Sequence, residues 1–294
     1  MARYVRTSEA LTHFEDYGGT GDLIVLVHGL GGSVANWDLI GPRLSNVGRT
    51  IALDLPGFGL SPPSSNWELE THAAAIAALI THFDTKATLI GNSMGALLSE
   101  IVASEQPELV ESLVLLSPAT PPQLPDPRIH WPTARRLLLQ ALPGIGPLVT
   151  RLLMAGYTPE ELVDASLNLV THKRGRVPLD MVESFTELAR TRLELPWAPE
   201  SVPKTGNSIA RLFIDRPRFV SMVRDIEAPT LVIHGLEDHI VSPTSVEWLC
   251  GLRPDWHLVQ MEDIGHTPQI EAPVRLMSIV VPWLEDRLRR QRTA

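Results

Sequence analysis

The sequence predicts an α/β protein with a mostly parallel central sheet, flanked by helices and interrupted by a helical insertion. Short apolar runs rich in Val, Ile and Leu alternate along the chain with helix-like stretches. The runs lack a polar alternation, which is typical of strands buried on both faces. Strands that alternate with helices form a parallel, three-layer sheet.

Six apolar runs, each ending near Gly, Pro or Asp, are the strand candidates: residues 23–27, 50–53, 87–90, 113–116, 230–233 and 257–261. Apolar residues recur at intervals of three and four in the helix candidates, which are residues 69–83, 94–104 and 274–288. The first segment, residues 3–17, alternates weakly and fits an antiparallel strand at the sheet edge.

Residues 119–225 contain no strand-like run. This segment opens with several prolines, which neither extend a helix nor fit a central strand. It continues with amphipathic stretches at residues 133–142, 147–154, 159–170, 178–193 and 207–214. We therefore predict a helical cap at 119–225 and an α/β core formed by residues 1–118 and 226–294. A cap inserted between strands lies over their carboxyl ends, where α/β proteins bind ligands.

Composition and charge exclude several classes of protein. The 294 residues are 44% apolar and 20% charged, which is ordinary for a globular protein with a large core. The formal net charge of -9 repels phosphate backbones, so we expect no nucleic-acid partner. The sequence has no apolar run of membrane-spanning length and no signal-peptide pattern near its start, so we expect no membrane partner and a cytoplasmic location. A single cysteine, Cys250, fits a reducing compartment.

The sequence G-N-S-M-G at residues 91–95 follows an apolar strand and opens a helix. This is the context that the G-x-S-x-G pattern requires, because the strand-to-helix turn is sharp and closes only when both flanking residues lack a side chain. The hydroxyl of Ser93 is then held at the carboxyl end of the strand. Outside this context the same pattern is a Gly-rich helix start; here it predicts a nucleophile.

A serine hydroxyl is a poor nucleophile and needs a base. His266 is the best candidate, since it lies on the loop after the last predicted strand. Asp238, which follows the strand at 230–233, is the candidate that orients this base, with its neighbour Glu237 as competitor. The chain order Ser93, Asp238, His266 is the order expected of a nucleophile elbow with its partners.

The negative charge that develops on a substrate oxygen needs N–H donors. The N–H of Met94 is one, because it follows the nucleophile. The second is expected from the loop H-G-L-G-G-S at residues 28–33, where we choose Leu30, with Gly31 next. The loop matches neither of the glycine spacings of phosphate-binding loops, G-x-x-x-x-G-K-S/T and G-x-G-x-x-G. Its alternative interpretation is a simple Gly-rich turn.

On these residues the chain resembles enzymes of the α/β-hydrolase fold along nearly its whole length. The matching segments are residues 28–29, D-L-P-G-F-G-L-S at 54–61, the elbow, residues 235–241 and residues 265–266. The resemblance implies that Asp54 shapes a turn rather than taking part in the chemistry. It also implies that the helical cap is inserted after the sixth strand.

Departures from known subfamilies narrow the activity. Ser93 stands where epoxide hydrolases and haloalkane dehalogenases of this fold have an Asp nucleophile, and the H-G-G-P-G of proline iminopeptidases is absent. The elbow is similar to that of meta-cleavage product hydrolases, which cut carbon–carbon bonds. Those enzymes usually have Trp after the catalytic His, whereas Thr267 follows His266 here. We therefore rank a carboxylesterase-like activity first and carbon–carbon hydrolysis second.

We expect a serine hydrolase that cleaves a carboxylic ester of a small hydrophobic substrate through an acyl-enzyme on Ser93. It needs no metal and no organic cofactor. A lactonase or amidase would use the same residues, and a small-molecule binding protein that retained the triad is a further alternative. The predicted pocket lies between sheet and cap and is lined by the apolar cap residues Trp131, Leu137, Met154, Trp197 and Phe213.

Overall fold

A computed structural model describes residues 3–6 and 11–291. Its strands form one sheet in the order β1-β2-β4-β3-β5-β6-β7-β8. They are β1 (Arg3–Arg6), β2 (Leu11–Gly18), β3 (Leu23–Val27), β4 (Arg49–Leu53), β5 (Ala87–Asn92), β6 (Val110–Leu116), β7 (Thr230–Gly235) and β8 (His257–Met261). Strands β1 and β2 are antiparallel to their neighbours, and β3 to β8 are parallel. The mostly parallel sheet is as predicted, with β1 and β2 as the antiparallel edge.

The helices flank the sheet and fill the insertion. They are α1 (Gly41–Leu44), α2 (Leu69–His82), α3 (Met94–Glu105), α4 (Trp131–Ala141), α5 (Ile145–Gly156), α6 (Pro159–Val170), α7 (Leu179–Leu193), α8 (Ala198–Ile214), α9 (Arg216–Arg224), α10 (Pro243–Leu252), α11 (Pro268–Glu271) and α12 (Pro273–Gln291). Helices α4 to α9 lie between β6 and β7, which confirms a helical insertion after the sixth strand. The division into a core and a cap at 118/119 and 225/226 stays a prediction.

The sheet is buried on both faces. Along β3, Val25 and Val27 point to one face, where they pack with residues of α2 and α3. Ile24 and Leu26 point to the other face, where they pack with α12. Because successive side chains of a strand point to opposite faces, a continuous apolar run is what a strand between two helical layers requires.

The largest difference from the predicted cap segments is at α8, and α9 was not predicted. Helix α8 begins at Ala198, whereas the sequence pattern started it near residue 207. Pro203 lies inside α8 and is buried. A proline in a helix interior removes one backbone hydrogen bond, and here tertiary packing offsets the free energy lost with that bond.

No helix in the described ranges is by itself long and apolar enough to cross a bilayer. Helices α4 and α5 meet the length and composition criterion only as a pair, and they are bent by 110° relative to each other.

Glu100 is a carboxyl group inside the core. It lies on α3 with no exposed surface, and neither of its carboxyl oxygens has a hydrogen-bond partner among the described residues. Burial raises the pKa of Glu100 to about 8. The folded protein therefore holds a proton on Glu100 at neutral pH, since an unpaired buried carboxylate is strongly disfavoured.

We expect Glu100 to make stability depend on pH. Between the ordinary pKa of Glu and about 8, the folded protein keeps a proton that the unfolded chain releases. The free energy of unfolding then falls as pH rises, by up to ~1.4 kcal/mol per pH unit for one group. Glu100→Gln should flatten this dependence in urea unfolding at a series of pH values. Glu105→Gln, on the exposed end of the same helix, is the control and should keep the wild-type slope. Parallel pH curves for Glu100→Gln and wild type would contradict the prediction.

Candidate active site

The turn between β5 and α3 is as sharp as the sequence pattern requires. Ser93 sits between them with φ 56° and ψ -118°, in a region that residues with side chains rarely adopt. A Cβ atom at Gly91 would overlap the carbonyl of Gly95, and one at Gly95 would overlap the carbonyl of Val27. Both positions therefore need glycine, because the backbones of β3, β5 and α3 meet there without room for side chains.

Hydrogen bonds to the next strand hold Ser93 in this strained conformation. Its N–H donates to Leu116 O at 2.9 Å, and its carbonyl accepts from Ala119 N at 3.1 Å. Its side chain is partly exposed, and the hydroxyl makes no hydrogen bond to any described residue. The hydroxyl is thus presented at the carboxyl end of the sheet and is free to meet a base and a substrate.

The structure brings Asp238 and His266 together. His266 Nδ1 lies 2.7 Å from Asp238 Oδ2, and both side chains are buried. The other oxygen, Oδ1, accepts from Ile240 N at 2.7 Å and Val241 N at 3.0 Å. Glu237 is exposed, so the neighbouring carboxylate does not compete for this histidine.

Burial by itself raises the pKa of Asp238, but the charge and hydrogen bond of His266 and the N–H of Ile240 outweigh it, so the pKa is lowered. Asp238 is therefore a carboxylate at neutral pH and accepts a hydrogen bond from the protonated Nδ1 of His266. In the neutral ring this leaves Nε2 without a proton, so Nε2 is the nitrogen that is able to take a proton from a hydroxyl.

A second histidine lies behind the pair. His234 is the last residue but one of β7, is fully buried, and has its Nδ1 3.9 Å from Asp238 Oδ2. Neither of its ring nitrogens has a hydrogen-bond partner in the part of the chain that the structure describes. Burial lowers the pKa of His234 to about 4, so it is neutral at pH 7. It packs under the site without adding charge to it.

Asn92 connects the elbow to the loop of the base, a role that sequence analysis missed. Its Nδ2 donates to His266 O and to Leu116 O, each at 3.1 Å. Asn92 occupies a variable position of the G-x-S-x-G pattern, so nothing in the motif indicated it. This contact places the His266 loop beside Ser93. The side chains of Ser93 and His266 form no hydrogen bond to each other here, and active sites often form that bond only when a substrate binds.

The Gly-rich loop after β3 lies against the nucleophile. A Cβ atom on Gly29 would be 3.1 Å from Ser93 Cβ. The loop is closed by Gly32 N, which donates to Gly29 O at 3.0 Å. No hydrogen bond within the described chain uses the N–H of Leu30, and that of Met94 is the first of α3 and has no intrahelical partner. Both predicted donors are therefore unpaired beside Ser93.

His28 fixes this loop from below. Its Nε2 accepts from Leu55 N at 3.0 Å, so the ring proton is on Nδ1, which donates to Gly29 O at 2.7 Å. Burial lowers the pKa of His28, in agreement with a neutral ring.

Asp54 joins the two loops beside the site. It is fully buried and accepts hydrogen bonds from Val34 N at 2.7 Å and Leu60 N at 2.8 Å. His13 Nδ1 lies 2.7 Å from Oδ2, the oxygen that also accepts from Leu60 N. The oxygens of Asp54 thus accept hydrogen bonds from the backbone of the loop after β3, at Val34, and of the loop after β4, at Leu60. This agrees with the structural role that the D-x-x-G-x-G-x-S stretch implies for Asp54.

Helix α8 of the cap contacts the Gly-rich loop at residues 28–33, here called the oxyanion loop because it carries the predicted donor Leu30. Val202 Cγ2 lies 3.6 Å from the position of a Cβ atom on Gly31, and Leu30 Cδ2 lies 3.8 Å from that on Gly206. These contacts put α8 next to the predicted N–H donors.

The five predicted pocket residues are spread over the cap. Trp131 is 53% exposed at the start of α4, and Leu137 and Met154 are half-buried on α4 and α5. Trp197 is half-buried before α8, and its Nε1 is buried without a hydrogen-bond partner among the described residues. Phe213 packs edge-on against Phe219 at 5.9 Å between ring centroids. Their part in substrate binding stays a prediction.

A carboxylate also binds the cap to the loop of the base. Glu271, on α11, has a fully buried side chain. Its Oε2 accepts from Gly265 N at 2.8 Å and His172 N at 3.0 Å, and its Oε1 accepts from Lys173 N at 2.7 Å. One carboxylate thus ties residues 172–173 of the cap to the residue before His266.

Backbone contacts strengthen the same junction. Val170 O, at the end of α6, accepts from His266 N at 2.9 Å and Thr267 N at 3.2 Å. Asp263 forms ion pairs with Lys173 and Arg176, whose hydrogen bonds lower its pKa to about 2. The position of His266 therefore depends on residues 170–176 of the cap as well as on the sheet.

The arrangement holds a hydroxyl on a strained elbow, an imidazole oriented by a carboxylate, and two unpaired N–H groups beside the hydroxyl. These are the parts of nucleophilic acyl transfer. Within the described ranges, no three His, Cys, Asp or Glu side chains are grouped to hold a metal ion.

Comparison with known proteins agrees with the observed fold. A family model of the alpha/beta hydrolase fold matches residues 22–273. The dihydrolipoyllysine-residue acetyltransferase component of the acetoin cleaving system of Pseudomonas putida is 42% identical over 278 residues, which span 93% of this chain but 66% of that protein. The 2-hydroxymuconate semialdehyde hydrolase of Pseudomonas sp. (strain CF600) is 28% identical over 91% of this chain and 88% of its own. The malate-bound structure of a thermophilic esterase from Thermogutta terrifontis has a TM-score of 0.72 and 25% identity, and the match covers 98% of this chain and 99% of that one.

We expect Glu271→Gln to destabilise the fold, because an amide nitrogen would face N–H donors that now share a carboxylate. The expected loss is about 2–4 kcal/mol in urea unfolding, as for a buried charged acceptor. Glu160→Gln is the matched control, since Glu160 pairs with Arg190 at 2.9 Å but is 60% exposed. This exposed ion pair should contribute little, so the urea midpoint of the control should stay close to that of wild type. Equal effects of the two substitutions would show that the buried carboxylate does not join cap and loop energetically.

Proposed function

The chain belongs to the α/β-hydrolase fold family and is a hydrolase of that fold, within which we propose that it cleaves a carboxylic ester of a small hydrophobic substrate through an acyl-enzyme on Ser93. The single observation that carries the proposal is the buried Asp238–His266 contact of 2.7 Å on a loop that Asn92 bonds to the elbow of Ser93. A carboxylate, an imidazole and a strained serine in this chain order form the set needed to activate a hydroxyl.

In the proposed reaction His266 Nε2 takes the proton of Ser93 Oγ as the oxygen attacks the acyl carbon. The N–H groups of Leu30 and Met94 donate to the resulting oxyanion, which they stabilise more than the neutral carbonyl. His266 then protonates the leaving alcohol and the acyl-enzyme forms. Water, deprotonated by the same nitrogen, attacks the acyl carbon of the acyl-enzyme. The bond from that carbon to Ser93 Oγ then breaks, His266 returns the proton to Oγ, and the acid is released. Asp238 keeps the imidazolium stabilised in both halves.

One observation favours an ester over a carbon–carbon bond: Thr267, and not Trp, follows His266. The N–H and Oγ1 of Thr267 both donate to Val170 O, each at 3.2 Å, so this position is engaged in joining the cap. An esterase, that of Thermogutta terrifontis, is among the similar structures. Carbon–carbon hydrolysis is the second candidate, supported by the relative named as a 2-hydroxymuconate semialdehyde hydrolase.

Acyl transfer to a thiol is a third candidate, because the 42% identical relative is named as a dihydrolipoyllysine acetyltransferase component. The same acyl-enzyme would serve, with a thiol in place of water: the Ser93 ester bond breaks as the thioester forms, and His266 takes the thiol proton. A lactone or amide would likewise use the same residues. A protein that only binds a small molecule would have no turnover.

A substrate panel separates these activities and tests the nucleophile. We expect wild type to hydrolyse short activated esters, and Ser93→Ala to lose about 10³ to 10⁶ of that rate. A fluorophosphonate probe should label Ser93, as mass spectrometry of peptides would show. Lactones, amides, a dienone acid and an acetyl ester with dihydrolipoamide as acceptor complete the panel. Faster turnover of one of those would reassign the substrate, and full activity of folded Ser93→Ala would overturn the mechanism.

The carboxylate assignment has its own matched pair of variants. Asp238→Asn should lower kcat by about 10⁴, because an amide favours the wrong tautomer of His266. Glu237→Gln changes the adjacent, exposed carboxylate and should leave kcat near wild type. Circular dichroism and urea unfolding verify that both variants fold. A larger loss in Glu237→Gln than in Asp238→Asn would mean that the acid is misassigned by one residue.

A further inference from the structure

Helices α4 and α5 expose an apolar surface to solvent. Its side chains are between 38% and 64% exposed and are Leu138, Leu139, Leu142, Ile145, Leu148 and Leu152, here called the α4–α5 surface. Both helices contact α8 and each other, and Asn207 Nδ2 of α8 donates to Ala141 O at 3.1 Å. An apolar face of this extent, left open after the helices have packed, indicates an interaction site.

The charges around this surface have one sign. Arg135, Arg136 and Arg151 are exposed and form no ion pair with any described residue. No Asp or Glu occurs between residues 127 and 159, although the whole protein carries a net charge of -9. Local cations on an acidic protein attract an anionic partner, while the rest of the molecule repels it.

Aromatic residues stand at both ends of the helix pair. Trp131 begins α4 and is 53% exposed, and Tyr157 follows α5 and is 50% exposed. Both side chains join an apolar ring to a polar group, which suits the boundary between lipid headgroups and acyl chains.

We propose that the α4–α5 surface binds an anionic phospholipid bilayer, with α4 and α5 lying in its interface. The leucines would enter the acyl boundary and the arginines would meet headgroup phosphates. The two helices, of 11 and 12 residues and bent by 110°, suit a position in the interface rather than across the bilayer. This departs from the absence of a membrane partner that the sequence led us to expect.

A second copy of the chain fits this surface less well. A two-fold interface places the same patch on both subunits, so Arg135, Arg136 and Arg151 of each copy would face those of the other. The membrane test does not depend on the chemistry at Ser93, because Leu138, Leu148 and Arg151 are not among the predicted pocket residues, and vesicle binding is measured without turnover.

Vesicle flotation of the full chain tests the proposal. We expect binding to vesicles of equimolar phosphatidylcholine and phosphatidylglycerol, and much weaker binding to phosphatidylcholine alone. The double variant Leu138→Asp/Leu148→Asp should weaken binding by about tenfold or more. Arg151→Ala should weaken vesicle binding about fivefold, because each cation near an anionic surface contributes about that factor to the affinity. Added salt should also weaken the binding, because it screens the attraction between arginines and headgroups.

Matched controls lie outside the α4–α5 surface. Leu179→Asp changes a leucine of α7 that is 79% exposed, and Arg224→Ala changes an exposed arginine of α9; both should bind as wild type does. Failure of wild type to float with the anionic vesicles would overturn the proposal. So would a dimer in analytical ultracentrifugation that Leu138→Asp/Leu148→Asp dissociates, because the surface would then belong to a second copy. Arg151→Ala and the salt series keep the test decisive if the double variant does not fold.

Discussion

The backbones of β3, β5 and α3 meet so closely that positions 91 and 95 have no room for a side chain. This contact sets the rest of the site, because it forces Ser93 into a positive φ and turns its hydroxyl out of the sheet. The strain is held by hydrogen bonds to Leu116 and Ala119 at the end of β6. The parallel sheet therefore sets the position of the hydroxyl. The strained conformation of Ser93 is maintained because contacts with several strands fix it together.

The loop of His266 is held from three sides. Asp238 fixes the ring, Asn92 bonds the backbone carbonyl, and Val170 of the cap accepts the backbone N–H. Glu271 adds a buried carboxylate shared between this loop and residues 172–173. The cap thus contributes to the geometry of the base as well as covering the strand ends. Movements of α6 and α7 would be felt at His266, which couples the stability of the cap to the proposed chemistry.

Patterns in the sequence predicted most of the fold, because strands buried between helices must be continuously apolar. The run at residues 23–27 became β3 and that at 257–261 became β8 without a change of bounds. Helix α8 begins well before the apolar pattern at 207–214, and it contains Pro203, which a helix interior tolerates only when packing compensates for the lost hydrogen bond. Asn92 and Glu271 escaped notice because their partners are backbone atoms, most of them far away in the chain, and no spacing rule encodes such contacts.

The sequence by itself determined the fold class, the elbow glycines and the order of Ser93, Asp238 and His266, since these follow from local sterics and chain order. Tertiary structure decided between Asp238 and Glu237, because only one of two adjacent side chains points inward toward His266. It also decided which apolar faces are covered. The amphipathic pattern of α4 and α5 shows that each has an apolar side, but whether that side meets protein or solvent depends on how many neighbours pack around it, and here α8 covers only one side.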